Sequence, residues 1–440
     1  MNWKIILVGA GLVLALIIVV LVVQRSPREN RIAPTSDSSP VHPLEFSETV
    51  VLKAESQLVR HILLRGTNEQ IGRKLADIAR ERYGLQPAAN PDVAFGTARV
   101  QYFQRNYPIH YERMKGVAAS YGRSVHEYDV DMTILPYNVN VPPACSAVFY
   151  PARSSATGRS FVVRNMDFGF VTVSELLGLQ PAPGEKAIFA EPYIVEVYPD
   201  EGYNSLYLSI GDLLAGTTGG INSEGLAVLW LVDHEVQAND VRAAGDQIIG
   251  NNQYQMARQL LDTCATVEEA KGVILSGKIY DIGKGAHYLI ADRFGNSFIY
   301  ERNPKDLRSH ISDNGGQPQI MTNHPIWEYM DVSEFPTHFE DPYDSMNRYR
   351  ILYNTLRDHQ GKYDVDFAVK ANEMVFPRGT SATLGGPSMT LRPNWQVVLD
   401  LDERSMQVRF YLHDGKTTAD GVDSVMSDFS TFRLQPDGGW

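Results

Sequence analysis

The chain of 440 residues has only two cysteines, and one sits where a nucleophile could work. Cys145 opens an apolar, strand-like run, Cys145-Ser146-Ala147-Val148-Phe149-Tyr150, directly after Pro142-Pro143-Ala144. A turn at Gly158 leads into a second such run that ends in Arg164-Asn165-Met166-Asp167. A thiol is intrinsically nucleophilic but only slightly ionised at neutral pH, so it needs a base. The chain has 11 histidines, none in a recognisable catalytic context. His324, in Thr322-Asn323-His324-Pro325, comes nearest. An α-amino group titrates at about 7.7–8.0, close to ideal for accepting and returning a proton at neutral pH. Breaking the Ala144–Cys145 bond would create that amine on the nucleophile itself. The expectation is a chain that cuts itself there before it can work.

The elements around Cys145 must hold it in place. Pro142 and Pro143 disfavour helix and feed an extended chain into it. Before them, residues 46 to 140 read as largely helical. Thr67-Asn68-Glu69-Gln70 is a capping box, with Ile71, Leu75 and Ile78 recurring on one face behind it. Ser124-Val125-His126-Glu127 predicts a second helix start in the same way. After Cys145 the texture turns to strands, over 145–152, 160–168, 187–199, 204–211, 226–233, 286–292, 296–302, 395–402 and 406–412. Helices are predicted over 252–263, over 267–275 behind the capping box Thr266-Val267-Glu268-Glu269, and over about 344–358 and 364–374. Blocks of strands alternating with blocks of helices fit stacked antiparallel sheets covered by helices, not a repeating strand–helix–strand wind.

Composition narrows the partners. The chain is 43% hydrophobic, ample for a large core. Its net charge of −12 argues against nucleic acid, which would want a basic face. Two thiols make no disulfide framework, and the spacing matches no metal motif. No metal and no cofactor are expected. Cys264 lies on an apolar helix and reads as core. Ile5 to Val23 form an uncharged apolar run of 19 residues, about the length of a membrane span, and no small-residue cleavage site follows it. It reads as an uncleaved anchor, with the body outside the cytoplasm. A Ser-, Pro- and Arg-rich linker follows.

Taken together, these features resemble the choloylglycine hydrolase and penicillin V acylase group of N-terminal-nucleophile (Ntn) amidases. Gly66-Thr67-Asn68-Glu69-Gln70-Ile71-Gly72 resembles a helix start in the prosegment of the acyl-coenzyme A:6-aminopenicillanic-acid acyltransferase branch. Gly219-Gly220-Ile221-Asn222-Ser223-Glu224-Gly225-Leu226, Thr322-Asn323-His324-Pro325 and Ser345-Met346-Asn347-Arg348-Tyr349 resemble further family motifs. The resemblance implies roles for each. Cys145 is the nucleophile and its own amine the base. Arg164 lies beside the sulfur and favours the thiolate, and Asp167 accepts from the α-amine. Asn222 donates to the oxyanion, Asn323 is a second polar anchor, and Arg348 holds the network's negative groups. On a regular strand Arg164 and Asp167 face opposite sides, so a bulge or strand end is expected between them. Each motif alone is an ordinary strand end or turn; the weight lies in the set, in family order, around one cysteine. The family's self-cutting members usually have Gly before the nucleophile, where this chain has Ala144.

The resulting expectation is an α+β chain: a four-layer αββα sandwich of two stacked antiparallel sheets, preceded by a helical prosegment and a transmembrane helix. Its parts would be an anchor (1–25), a linker (26–45), a prosegment (46–144) and a catalytic domain (145–440). It would hydrolyse a linear, non-peptide amide of a small N-acyl substrate through an acyl-thioester. Its two fragments would stay associated after cleavage, because the prosegment's apolar helix faces need burial. The alternatives are acyl transfer to an amine, a ceramide-type lipid amidase, and a catalytically silent binding protein.

Overall fold

In the computed structural model the described residues are 43–435, apart from 91, 139–142, 238–248, 283, 304, 305, 307, 340, 342 and 384–387. The apolar run Ile5–Val23 and most of the expected linker lie outside them. Among the described residues no helix is long and apolar enough to cross a membrane.

The fold is mixed α/β, built on two large sheets. The first has nine strands in chain order: β1 (Glu45–Lys53), β2 (Leu58–Gly66), β5 (Tyr193–Pro199), β6 (Ser205–Ser209), β7 (Thr217–Asn222), β8 (Leu226–Gln237), β9 (Lys284–Asp292), β10 (Ser297–Arg302) and β11 (Ser309–Asp313). The second runs β12 (Gln319–Met321), β3 (Ala144–Tyr150), β4 (Phe161–Gly169), β14 (Ser388–Asp400), β15 (Ser405–Thr418) and β16 (Gly421–Met426). Two short strands flank it, β13 (Ser381–Thr383) on β14 and β17 (Ser430–Arg433) on β15.

Three apolar clusters define the layers. Between the sheets lie Cys145, Ala147, Phe149, Met166, Leu229 and Trp395. On the outer face of the nine-stranded sheet, α1 (Asn68–Tyr83), α2 (Val93–Asn106), α3 (Pro108–Ser120), α4 (Gln253–Thr263) and α5 (Val267–Ser276) pack around Ile71, Phe103, Met114 and Leu260. On the outer face of the other sheet, α6 (Ser345–Asp358) and α7 (Val365–Glu373) cover Val148, Val163 and Val398. Helices therefore cover both outer faces, as expected. Cys264 is buried in the helical layer.

Local sequence explains where the helices start. Thr67 accepts from the Gln70 N–H while Gln70 Oε1 accepts from the Thr67 N–H at 2.8 Å, the reciprocal capping box, and Gly84 closes α1 in the left-handed region at φ 62°. Thr266 caps α5 by accepting from the Glu269 N–H.

Three expectations need correction. The segment 46–144 is not simply helical: it opens with the β1–β2 hairpin. That hairpin extends the nine-stranded sheet, and β2 pairs with β5 in parallel, from Arg60 opposite Tyr193 to Gly66 opposite Pro199. The sheets are therefore not wholly antiparallel. Finally, Ser124 starts no helix. Its Oγ accepts from His126 N–H and Glu127 reaches back to Ser124 N–H, but the chain continues as turns. A capping box satisfies the first N–H groups; it does not supply the apolar face that holds a helix.

Buried charge ties the segment before Cys145 to the later chain. Asp262 on α4 takes two bonds from Arg113 on α3, at 2.5 and 3.1 Å, and one from the Tyr107 hydroxyl at 2.5 Å. Arg258 pairs with the same carboxylate at 3.0 Å and donates to Ser205 Oγ at 2.6 Å. Arg113, Arg258 and Asp262 are all buried. Burial pushes the Asp262 carboxyl up, but the two guanidiniums outweigh it and hold it below the usual range.

Candidate active site

Cys145 is the second residue of β3 and points into the space between the sheets. Arg164 and Met166, alternate residues of β4, reach its sulfur from the neighbouring strand. Arg164 Nη2 donates to Sγ at 3.3 Å, and the thiol lies 3.5 Å from Met166 Sδ. Its main chain is held as firmly. Its N–H donates to Asn323 Oδ1 at 2.8 Å, and its carbonyl accepts from Arg348 Nη1 at 2.5 Å.

Asn323 and Arg348 form one unit. Arg348 Nη2 donates to Asn323 Oδ1 at 2.8 Å, and its Nε donates to the Tyr343 carbonyl at 3.1 Å. Asn323 Nδ2 donates to the Val232 carbonyl at 2.7 Å, the Asn323 N–H to Ser345 Oγ at 2.6 Å, and the His234 N–H to the Asn323 carbonyl at 2.9 Å. Asp344 caps α6 by accepting from Met346 and Asn347 N–H groups, which sets Arg348 in the first turn.

Asp167 lies opposite Ala144 in the ladder, one residue along from the pairing of Cys145 with Met166. It is fully buried, and its Oδ2 accepts from the Tyr343 hydroxyl at 2.5 Å. Its Oδ1 has no hydrogen-bond partner among the described residues. The expected irregularity between Arg164 and Asp167 is absent from the β3–β4 ladder, which runs in register from Tyr150 to Ala144. It falls instead on the other neighbour, β14, between Pro393 and Trp395.

The site's charges follow from burial. Burial pushes the Cys145 thiol up, Arg164 counters it, and the net is above the ordinary thiol value. Burial likewise raises Asp167 to about 7 against pulls from Tyr343, Arg348 and Arg164. Cys145 is thus not a preformed thiolate. Arg164 Nε and Nη1 are buried without acceptors among the described residues, which leaves donors beside the sulfur for developing negative charge.

Asn222 is not part of this cluster. It ends β7 after Ile221, which packs between the sheets, so alternation turns Asn222 to the helical layer. Its Nδ2 donates to the Leu261 and Cys264 carbonyls at 3.0 and 2.7 Å, and its Oδ1 accepts from the Glu224 and Leu226 N–H groups. The amide is spent on holding a turn against the end of α4. The structure therefore brings five of the six predicted residues together and leaves this one out. His324 bonds to Ser345 and Thr322, and burial lowers it to about 3, so it is neutral.

Three further residues belong to the site; Ser345 opens the motif that carries Arg348, and Tyr343 and His234 carry none. Tyr343 orients Asp167, and Ser345 holds the Asn323 N–H. His234, exposed on β8, has its Nε2 3.4 Å from the Pro143 carbonyl. Behind the Asn323 loop, Asp233, His287 and Glu301 offer ligand atoms within 4.8 Å of one another, all buried. Glu301 already accepts from His287 and from the Ile326 and Trp327 N–H groups. Burial disfavours a charged His287, but Glu301 and Asp233 outweigh it and raise its pKa.

Residues 154–371 match the family model of acyl-coenzyme A:6-aminopenicillanic acid acyl-transferase. The resemblance read from the motifs holds. The matched span contains Arg164, Asp167, Asn222, Asn323 and Arg348, with Cys145 just before it. Among solved structures, the penicillin V acylase from Agrobacterium tumefaciens is similar at 19% identity and a TM-score of 0.43, over 61% of this chain and 84% of that one. A variant of the conjugated bile acid hydrolase from Clostridium perfringens is similar at 13% identity and a TM-score of 0.43, over 67% and 99%. No curated protein matches the chain.

Proposed function

We propose that this chain is a self-processing cysteine amidase with an Ntn-hydrolase site, cut between Ala144 and Cys145 by Cys145 itself. The observation that carries the reading is the surroundings of that peptide bond. The nucleophile's N–H already rests on Asn323 Oδ1, and a buried, half-unpartnered carboxylate lies across the ladder from Ala144. A peptide nitrogen gives those acceptors one hydrogen. An α-ammonium would give three, enough for Asn323 Oδ1 and Asp167 Oδ1 together.

In the first reaction Sγ attacks the Ala144 carbonyl carbon. A carbon–sulfur bond forms, the carbon–nitrogen bond breaks, and the thiol proton passes to the leaving nitrogen. Water then hydrolyses the thioester, freeing the Ala144 carboxylate and regenerating the thiol. In the second reaction the amine takes the thiol proton as Sγ attacks a substrate amide and returns it to the leaving amine as the carbon–nitrogen bond breaks; water then hydrolyses the acyl-thioester, releasing the acid and regenerating the thiol. Arg164 stabilises the sulfur's negative charge, and Asn323 and Arg348 keep Cys145 in register. The substrate class is a small N-acyl amide, like those named for the penicillin V and bile acid enzymes above. In this reading Ile5–Val23 tethers the enzyme to a membrane.

The matched family is named for an acyl-transferase, which favours amines as alternative acceptors of the acyl group. Product partition with added amine tests that branch. The main test is processing. Wild-type protein on a denaturing gel should give two fragments, the larger beginning at Cys145, and Cys145→Ala should give one band. A catalytically competent wild type that remains uncut refutes the mechanism.

A further inference from the structure

The uncut chain contains its own acyl group. Resting on the self-cleavage and amidase reading above, the arm Pro143–Ala144 is the acyl side of the first bond that Cys145 attacks. The same sulfur later attacks the substrate, so the substrate's carbonyl carbon must take the place of Ala144's. Its acyl chain then leaves along the path of Pro143. His234 Nε2 meets that path at the Pro143 carbonyl oxygen, at 3.4 Å.

His234 is well placed to stay there. Its N–H is fixed on the Asn323 carbonyl at 2.9 Å, and two residues earlier the Val232 carbonyl accepts from Asn323 Nδ2 at 2.7 Å. The residue that anchors the nucleophile's nitrogen therefore also sets the position of His234. Its side chain is exposed, so a ligand can reach it once the cut end moves aside.

Bond counting gives the chemistry. From the Ala144 carbonyl carbon, the chain passes through Cα and N to the Pro143 carbonyl carbon, which is the fourth atom. We propose that His234 sets acyl specificity by donating a hydrogen bond to an oxygen carried on the fourth atom of the acyl chain. Preferred substrates are then amides whose acyl group bears a carbonyl oxygen there, over plain alkanoyl amides of equal length.

The test compares para-nitroanilides of levulinic and pentanoic acids, which differ only by a ketone oxygen on the fourth carbon, using purified processed protein. Wild type should favour the levulinoyl anilide in kcat/KM by about tenfold, the worth of one well-made hydrogen bond. The ratio should fall to about one in His234→Leu and largely return in His234→Gln, whose amide keeps a donor. His234→Ala repeats the measurement if the leucine variant does not mature. A wild-type ratio of one, or a ratio unchanged in the leucine and alanine variants, overturns the assignment while leaving the amidase reading intact. Correctly cut protein that hydrolyses neither anilide nor any other N-acyl amide overturns the amidase reading, and the role of His234 with it.

Discussion

Asp167 offers a sharp thermodynamic test of the uncut site. Burial leaves its carboxyl at about 7 in the folded chain, against an ordinary value of 3.8. The unfolded chain gives up this proton near the ordinary value, whereas the folded chain keeps it until about 7. Between those values the folded state binds more protons, so stability falls as pH rises through the window, and the loss is complete above it. Each unit of pKa is worth about 1.4 kcal/mol, so the ionised carboxylate costs the uncut chain about 4 kcal/mol at about pH 8. Asn at this position keeps the shape and an acceptor for Tyr343 but never ionises. In a Cys145→Ala background, Asp167→Asn should therefore raise the urea unfolding free energy by about 4 kcal/mol at about pH 8, and by close to nothing at about pH 4. In processed protein the new α-ammonium would face Oδ1, and most of that gain should vanish. An equal gain at both pH values, or none at the higher one, refutes the argument that this carboxylate is strained until the chain is cut.

Two further perturbations separate structural from chemical roles. Asp262→Asn leaves Arg113 and Arg258 buried without their carboxylate, a loss of about 3–5 kcal/mol. In processed protein that should weaken fragment association by about two to three and a half decades, read by size exclusion across a urea series. Because the Asp262 carboxyl is held below its usual value, its contribution is present above that value and is lost as pH falls below it. Unaltered association would show that apolar contacts alone hold the fragments. Asn222→Ala strands the Leu261 and Cys264 carbonyls and should cost about 1–3 kcal/mol for each, seen as a lower thermal midpoint. Its kcat per folded molecule should stay within about threefold of wild type, and a fall of about a hundredfold or more at unchanged stability would restore Asn222 as an oxyanion donor.

What could be read from sequence follows the range of each signal. The starts of α1, α4, α5, α6 and α7 are encoded within four residues by their caps, and the sequence reading matches them closely. The ladder β3–β4 was legible because a turn separates two apolar runs. β2 was not. Ile62 and Leu64 pack on the helical layer while Val59 packs between the sheets, so a strand buried on both faces shows no alternation. Its partner β5 lies far along the chain, joined in parallel. Arg164, Asp167, Asn323 and Arg348 were found through motifs because each is fixed by its own short element. Tyr343 and His234 escaped because only the folded loops bring them to Cys145, and Ser345, though it opens the Arg348 motif, shows its bond from the Asn323 N–H only in the fold. Asn222 misled for a related reason. Its turn motif marks where β7 meets β8, and the same motif can serve chemistry or serve the turn. Which one it serves depends on the face that alternation assigns it.

The position of the β1–β2 hairpin changes what cleavage at Ala144 means. Removing the prosegment would uncover the edge of β5, a row of unpaired main-chain groups, and would leave Asp262 without Arg113 and Tyr107. Cleavage in this fold would therefore not release a cover; it would make a new chain end inside an intact sandwich. The contacts that hold Cys145 suit that outcome. Its nitrogen is on Asn323, its carbonyl on Arg348 and its sulfur on Arg164. All three lie on the C-terminal side of the Ala144–Cys145 bond. On the other side the arm has the ladder partner of Ala144 and the long contact from His234. If that bond were cut, the arm would be the lightly held part and Cys145 the fixed one. The new amine would then form where Asn323 Oδ1 already accepts from the Cys145 nitrogen, and the proposed catalytic geometry would need no rearrangement to be reached.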